Sequence, residues 1–412
     1  QLSKVRACRH EGVLFWAEDT NKDQDACQNG REKNGTIIND GKARIQGIYS
    51  CVGSSLHPPF KKTLRDSLIR DMYQEDQESL MNHLYKASCV AITTDGWSSR
   101  NMTAFLAITC HFFDEETSTL ECKIMDCSRI KGSHTAENLR SRILTSLVQY
   151  KVEKKIVCAI SDNAANIQKA LGTLSFPHQP CYSHLLNLVV KKSLYAVIVL
   201  LLLISLRICT SSLVPTPKKL MAKVETRWNS TFMMLERFLE CKNVLTLLFA
   251  GSFFEGKSDG FKFFHSEWDS IQDMVHCLSH IYEATQEMGG EKHTTIGKTI
   301  PMTTVLMKAY QEEVEESKTS LTKELAQEIL KNLHLRFGRV EFDSMYTFST
   351  LLDPRYKNCM LRNTGGLDQA LTELKEELKK GSIVSVSGSD IPSASYEGVL
   401  SSQASLWTKM DR

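Results

Sequence analysis

The stretch Cys89-Val-Ala-Ile-Thr-Thr-Asp-Gly-Trp-Ser-Ser99 decides the fold. Cys89 to Thr94 is a short apolar and β-branched run, the composition of a strand, and it delivers a carboxylate, Asp95, directly after it. Thr103 to Phe113 reads as a second strand, Asp114 to Ser118 as a turn and Leu120 to Cys127 as a third strand. Links this short predict antiparallel pairing. Thr135 to Tyr150 then puts Leu139, Ile143, Leu144 and Leu147 on one helical face, and the charged loop Lys151 to Lys155 leads to a fourth strand, Ile156 to Ile160. The intervening helix lets that strand run parallel to an earlier one through a right-handed crossover. A second carboxylate, Asp162, follows it. If strands one and four are parallel neighbours, the two acids lie side by side, where they could hold a pair of Mg²⁺ or Mn²⁺ ions. The plainer alternative is that both are turn or helix-cap aspartates, since each stands before a Gly or a helical run.

Away from this core the chain changes character. Residues 1–54 are polar, without a sustained period of 2 or 3.6, and are expected to be poorly structured. From Pro58, Phe60, Leu64, Leu68, Ile69 and Met72 recur at helical spacing, and a second helical run covers Glu78 to Ala87, so residues 55–88 read as lead-in helices. Residues 89–194 form the strand-rich portion. After Ser161, periodic apolar residues in Ala164–Leu171, Tyr182–Lys192, Ser230–Leu248, Trp268–Met288, Pro301–Glu316 and Leu321–Phe337 make the chain almost wholly helical, and residues 195–380 read as a helical domain. Leu367, Leu371, Leu374 and Leu378 give one more amphipathic set, closed by Gly381. The Ser-rich residues 381–412 are expected to be disordered.

The bulk numbers exclude several classes. The 412 residues are 42% hydrophobic, enough for a sizeable core, and 50 Lys plus Arg against 48 Asp plus Glu leave no global basic footprint, so any nucleic-acid contact must be local. Thirteen cysteines without a regular framework, after a start lacking a basic and apolar leader, fit a reducing compartment. The most apolar run, Ala196 to Leu206, is shorter than the roughly 20 residues of a membrane helix and reads as buried helix; no membrane partner is expected.

Four strings in order, Ile92-Thr-Thr-Asp-Gly-Trp-Ser-Ser99, Ser161-Asp-Asn-Ala-Ala-Asn-Ile167, Cys181-Tyr-Ser-His-Leu-Leu-Asn-Leu188 and Glu225-Thr-Arg-Trp-Asn-Ser-Thr231, resemble the core of hAT-type DNA transposases, including those of zinc finger BED domain-containing proteins. Leu352-Asp-Pro-Arg-Tyr-Lys357 and the lead-in segment extend the resemblance to residues 55–360. It implies an α/β fold with a ribonuclease H-like mixed sheet and a large all-helical insertion. It also implies a D…D…E triad that binds divalent metal and cuts DNA, with Asp95 and Asp162 matching the two aspartates. The family's third acid, its last strand and its aromatic dimerisation segment find no match, so the sheet is expected to be incomplete at its C-terminal part and the two aspartates vestigial.

The resemblance also assigns the remaining site residues. Trp97, Asn163, Cys181 and His184 would line the active site, and Arg227 and Trp228 would contact DNA, the indole stacking on a base; packing in the core is the equal alternative for Trp228, and Trp97 could either pack against the sheet or line the DNA path. Arg100, Lys131, Lys169, Lys191 and Lys192 could face phosphates or be a solvated surface. Cys181 and His184 lack a second ligand pair, and residues 1–55 offer only Cys8, His10, Cys27 and Cys51, so no zinc site is expected. Between Leu194 and Lys218 the family's charged link gives way to the apolar run and Pro215-Thr-Pro217, which points to an altered gene model. The expected function is a nuclear protein that associates weakly with DNA and does not cleave it, with a homo-oligomer or family partner open despite the missing dimerisation segment. One alternative is a metal-dependent nuclease with a third carboxylate from Glu225, Asp353 or a partner chain; another is a protein-interaction module without DNA binding.

Overall fold

A computed structural model describes residues 5–6, 17–18, 69–99, 103–130, 132–197, 228–250, 265–290, 294–358, 360–362 and 364–381. They fall into two compact units, residues 1–179 and 180–412. The expectations for the N-terminal segment (apart from a two-residue pairing of Val5–Arg6 with Ala17–Glu18), the apolar run after Val197 and the Ser-rich tail lie outside these residues.

The first unit begins with α1 (Ile69–Lys86), a single helix where the sequence predicted a first helix ending near Met72 and a second from Glu78. Nothing between Tyr73 and Gln77 breaks a helix, since the segment contains neither Gly nor Pro, so the two runs join. Strands β1 (Val90–Ser98), β2 (Ala104–Asp114) and β3 (Thr119–Arg129) follow, then α2 (Ala136–Gln149), β4 (Ile156–Ser161), α3 (Ala165–Leu171) and β5 (His178–Pro180). The sheet order is β3-β2-β1-β4-β5, with β1–β2 and β2–β3 antiparallel and β1–β4 parallel. The three-residue β5 carries no strand signature in sequence.

One face of this sheet is the core. Val90, Ile92, Leu106, Ile108, Cys110, Phe112 and Ala159 pack with Leu80 and Leu84 of α1, Leu139, Ile143 and Leu147 of α2, and Ile167 and Leu171 of α3. Ile92, Ile108, Ile143 and Leu147 are wholly buried, each contributing about 1.5–3 kcal/mol of apolar transfer. Polar groups hold the helices in place. Thr135 caps α2, its hydroxyl accepting from the Asn138 amide at 3.3 Å. Arg142 donates through Nε and Nη2 to both oxygens of Asp126 on β3, at 2.8 and 3.0 Å, which docks α2 on the sheet. Lys155 Nζ donates to the carbonyls of Leu84, Tyr85 and Ala87 at 2.7–2.9 Å, satisfying the end of α1.

The second unit is helical: α4 (Tyr182–Ser193), α5 (Asn229–Glu240), α6 (Lys242–Ala250), α7 (His265–Met288), α8 (Thr299–Glu316), α9 (Ser320–Phe337), α10 (Ser344–Leu352) and α11 (Thr364–Gly381). The run expected as one helix from Ser230 to Leu248 is divided at Cys241 into α5 and α6. The sequence reads α4 as a helix at the end of residues 89–194. Its apolar residues Leu185, Leu186, Val189 and Val190 join the core formed by Leu235, Phe238, Ile271, Leu278, Leu306, Tyr310 and Leu333. A stripe of four apolar residues needs a helical partner, and α9 supplies it: Asn332 Nδ2 donates to Ser193 Oγ at 3.3 Å in a buried pair. Among the described residues, no helix is long and apolar enough to cross a membrane, and none of the described cysteines is in a disulfide.

Candidate functional site

The β1–β4 register pairs Thr94 with Ser161, so Asp95 and Asp162 are the next residues on two adjacent parallel strands, spaced about 4.8 Å apart in general. Strand β1 outruns β4. Asp95 is therefore not after a strand end, as the sequence implied, but inside β1, opposite Ala107 of β2, and β1 continues through Gly96 to Ser98. The Asp-Gly turn alternative fails because β2 keeps pairing across Gly96, which faces Leu106. On its other side β1 loses its neighbour where β4 stops, and Asp162 stands at that step.

Strand alternation sorts the side chains. Ile92 and Thr94 are buried against the helices, so Thr93, Asp95 and Trp97 point to the opposite face, where Asp95 is exposed and Trp97 half-buried. Trp97 stacks on Phe105 of β2, centroids 5.6 Å apart and planes inclined by 14°. On the same face Thr93 and Thr109 share a hydrogen bond between hydroxyls, and Thr109 Oγ1 lies 3.3 Å from His111 Nε2. Asp95 thus sits in a strip of hydroxyl, imidazole and aromatic groups that composition alone did not mark.

Asp162 is half-buried, and its Oδ1 accepts from the Ala164 amide at 3.2 Å in an Asx turn opening α3. The turn reading is therefore correct for this acid, and it fixes one oxygen while the other stays available. A residue not foreseen supports it. The buried Ser161 hydroxyl donates to the Asp162 carbonyl at 2.9 Å and meets His178 Nε2 of β5 at 2.9 Å. With the hydroxyl proton so used, His178 is the donor. Burial lowers the His178 pKa, which favours the neutral ring, and the donor role then requires the tautomer with its proton on Nε2. The signal that could have found it is a polar residue, His178, in a short segment returning beside β4.

Asn163 is half-buried and accepts from Gln168 Nε2. Two carboxylates at one strand step are a hard-oxygen donor set that fits Mg²⁺ or Mn²⁺, and no thiol takes part. Asp95 and Asp162 would hold such an ion, which would stabilise the attacking and leaving oxygens of a phosphodiester.

In the helical unit the sequence-derived residues behave differently. Cys181 is the N-cap residue of α4 without a side-chain cap bond, and His184 lies in the first turn; both are half-buried. Trp228 is 3% exposed, with Tyr282 edge-on at 6.3 Å, and its amide donates to Asn187 Oδ1 at 3.2 Å. An indole so enclosed serves packing and cannot stack on a base in this conformation, which corrects the DNA-stacking expectation. Its buried Nε1–H has no partner. Lys169 and Lys192 are exposed and Lys191 is half-buried. Arg100, Lys131, Arg227 and Glu225 lie outside the described residues. Both oxygens of Asp353 are engaged by Arg355, whose Nε and Nη2 donate at 2.9 and 2.6 Å, and these bonds hold its carboxyl below the usual range. That is the salt-bridge role, not a third metal ligand.

Comparison with known proteins agrees with this geometry. The family model for the ZBED1 RNase-like domain matches residues 93–180, the segment that spans both aspartates. A Zea mays protein described as an AC transposase is 26% identical over 276 residues, 58% of this chain and 34% of that protein. The human zinc finger BED domain-containing protein 4 is 23% identical over 318 residues, covering 70% of this chain and 26% of its own length. The rice zinc finger BED domain-containing protein RICESLEEPER 3 is 21% identical over 359 residues, 76% of this chain and 45% of that protein. The chain thus spans a quarter to under a half of these relatives. The matched segment, the sheet order and the relatives agree: residues 93–180 match an RNase-like domain within a mixed sheet, and the chain is similar to AC transposases and zinc finger BED domain-containing proteins.

Proposed function

We propose that this chain is a transposase-derived nuclear protein that associates with DNA through its sheet unit, keeps a two-carboxylate divalent-ion subsite at Asp95 and Asp162, and does not cut DNA by itself. The observation that carries the reading is the Thr94–Ser161 pairing, which puts the two acids at one step of the sheet. The relatives act as its second support, since they include proteins described as transposases and as a transcriptional regulator. Two-ion phosphodiester chemistry uses a third carboxylate to keep both ions in register. Of the acids considered for that role, Asp353 is taken by Arg355.

The test is fluorescence anisotropy of a labelled duplex with the purified chain, alongside a plasmid nicking assay in Mg²⁺ or Mn²⁺. Expected are binding at low salt that weakens steeply as salt rises, because phosphate contacts release counterions, and no nicking. Nicking abolished by Asp95→Ala would show a working nuclease, and absence of binding at low salt would leave a protein-interaction module. Nuclear residence is tested by imaging the tagged chain.

A further inference from the structure

His276 and His280 are four residues apart on α7, so their rings lie on one face of that helix, and Glu313 of α8 lies against both. The Nε2 atoms of the two imidazoles each stand 3.2 Å from the same oxygen, Glu313 Oε1. The rings are edge to face with centroids 5.4 Å apart, and all three potential ligand atoms fall within 4.8 Å of one another. We propose that His276, His280 and Glu313 form a binding site for a zinc-class divalent cation that ties α7 to α8. This is a site the sequence did not reveal, since the two histidines are neighbours only on a helix and their acid is 33 residues further on. It departs from the expectation of no zinc site, which considered Cys181, His184 and the N-terminal Cys and His residues alone.

The geometry is that of a tetrahedral site short of its ion. Zinc bonds nitrogen and oxygen at about 2.0–2.2 Å, which sets ligand-to-ligand edges near 3.3 Å. Two of the three edges, at 3.2 Å, already have about that length, and the third, between the two histidine nitrogens, is no longer than 4.8 Å. The site has one adjustable member: His276 is 70% exposed, whereas His280 and Glu313 are 10% and 13% exposed and held in place. His280 is further braced by the ring of Tyr310, edge-on at 5.8 Å, whose hydroxyl donates to the Cys277 carbonyl at 2.7 Å. Two imidazoles and a carboxylate suit zinc and its neighbours rather than Mg²⁺, which prefers an all-oxygen shell. Three protein ligands with one side at the surface leave the fourth position to water or to a side chain from another molecule.

The test uses the full chain, stripped with a chelator and titrated with Zn²⁺ by calorimetry, and separately with Co²⁺ followed by its visible absorption. Expected is one site per chain above the background of other thiols and imidazoles. The Co²⁺ complex should show ligand-field bands and no thiolate charge-transfer band. His276→Ala should abolish that site, because loss of a direct ligand exceeds the roughly 10–100-fold effect of losing an outer partner. Glu313→Gln should do the same. Since His276 is exposed, its variant keeps the fold and decides the matter even if the Glu313 variant does not. Equal Zn²⁺ affinity in the chain and in His276→Ala, or a Co²⁺ spectrum dominated by thiolate, would overturn the proposal and leave the trio as a hydrogen-bonded His-Glu-His contact.

Discussion

Asp353 shows how a single carboxylate in this chain has been committed to structure. Its two oxygens take three bonds from Arg355, including the backbone amide at 3.0 Å, and the side-chain bonds are the main cause of its lowered pKa. A carboxyl whose pKa is lower folded than unfolded contributes stability above its unfolded value, and that contribution is lost as pH falls through the folded one. Asp353→Asn should therefore cost about 1–2 kcal/mol at pH 7, the lower part of the range for charged hydrogen bonds because Arg355 is half exposed. In urea unfolding the gap between chain and variant should close below about pH 4; a gap independent of pH would contradict the ion-pair account. Trp228 makes the complementary case. Trp228→Ala should cost about 3–5 kcal/mol, as for other buried aromatics. Trp228→Phe should cost much less, since it also removes a buried N–H without a partner. Both follow from denaturant midpoints, and unchanged DNA affinity in Trp228→Leu, which keeps an apolar side chain but cannot stack, separates packing from base stacking.

Among the elements, the legible ones were those with a period. The apolar alternation of β1 and β2, the Leu139-Ile143-Leu147 face of α2 and the capping Thr135 are local facts, and each element stands where its pattern put it. What local patterns miss is what a neighbour imposes. β1 runs three residues past Thr94 to Trp97 and on to Ser98 because β2 is there to pair with it, and α4 joins the helical core because α9 is there to receive it. β5 is only three residues long, too short for any period to register. The docking of α1 was equally invisible, since it depends on Lys155 reaching three carbonyls about 70 residues away in sequence. Lys155→Met should keep the aliphatic stem and lose about 0.5–1.5 kcal/mol, the net worth of hydrogen bonds to carbonyls that water can partly reach. Hydrogen exchange should show the last turn of α1 exchanging faster in that variant; protection equal to the unaltered chain would assign no anchoring role to the ammonium.

At the scale of the whole molecule, the change from strand to helix patterning after Ser161 is legible in the sequence, and the motif order carried the resemblance to hAT-type transposases. The candidate site was half legible. Asp95 and Asp162 could be named because each lies at the C-terminal end of an apolar run, but their adjacency is a property of strand order and register, which no spacing encodes. Ser161 and His178, which hold the Asp162 backbone, and His276, His280 and Glu313 in the helical unit come together only on folding. The central claim is that Asp95 and Asp162 act as one divalent-ion site. It is tested most directly by titrating Mn²⁺ into the chain, with His276→Ala as background to silence the helical unit, and following the free ion by electron paramagnetic resonance. The account predicts a bound ion that is lost in Asp95→Asn and equally in Asp162→Asn; undiminished Mn²⁺ binding in either variant would contradict it.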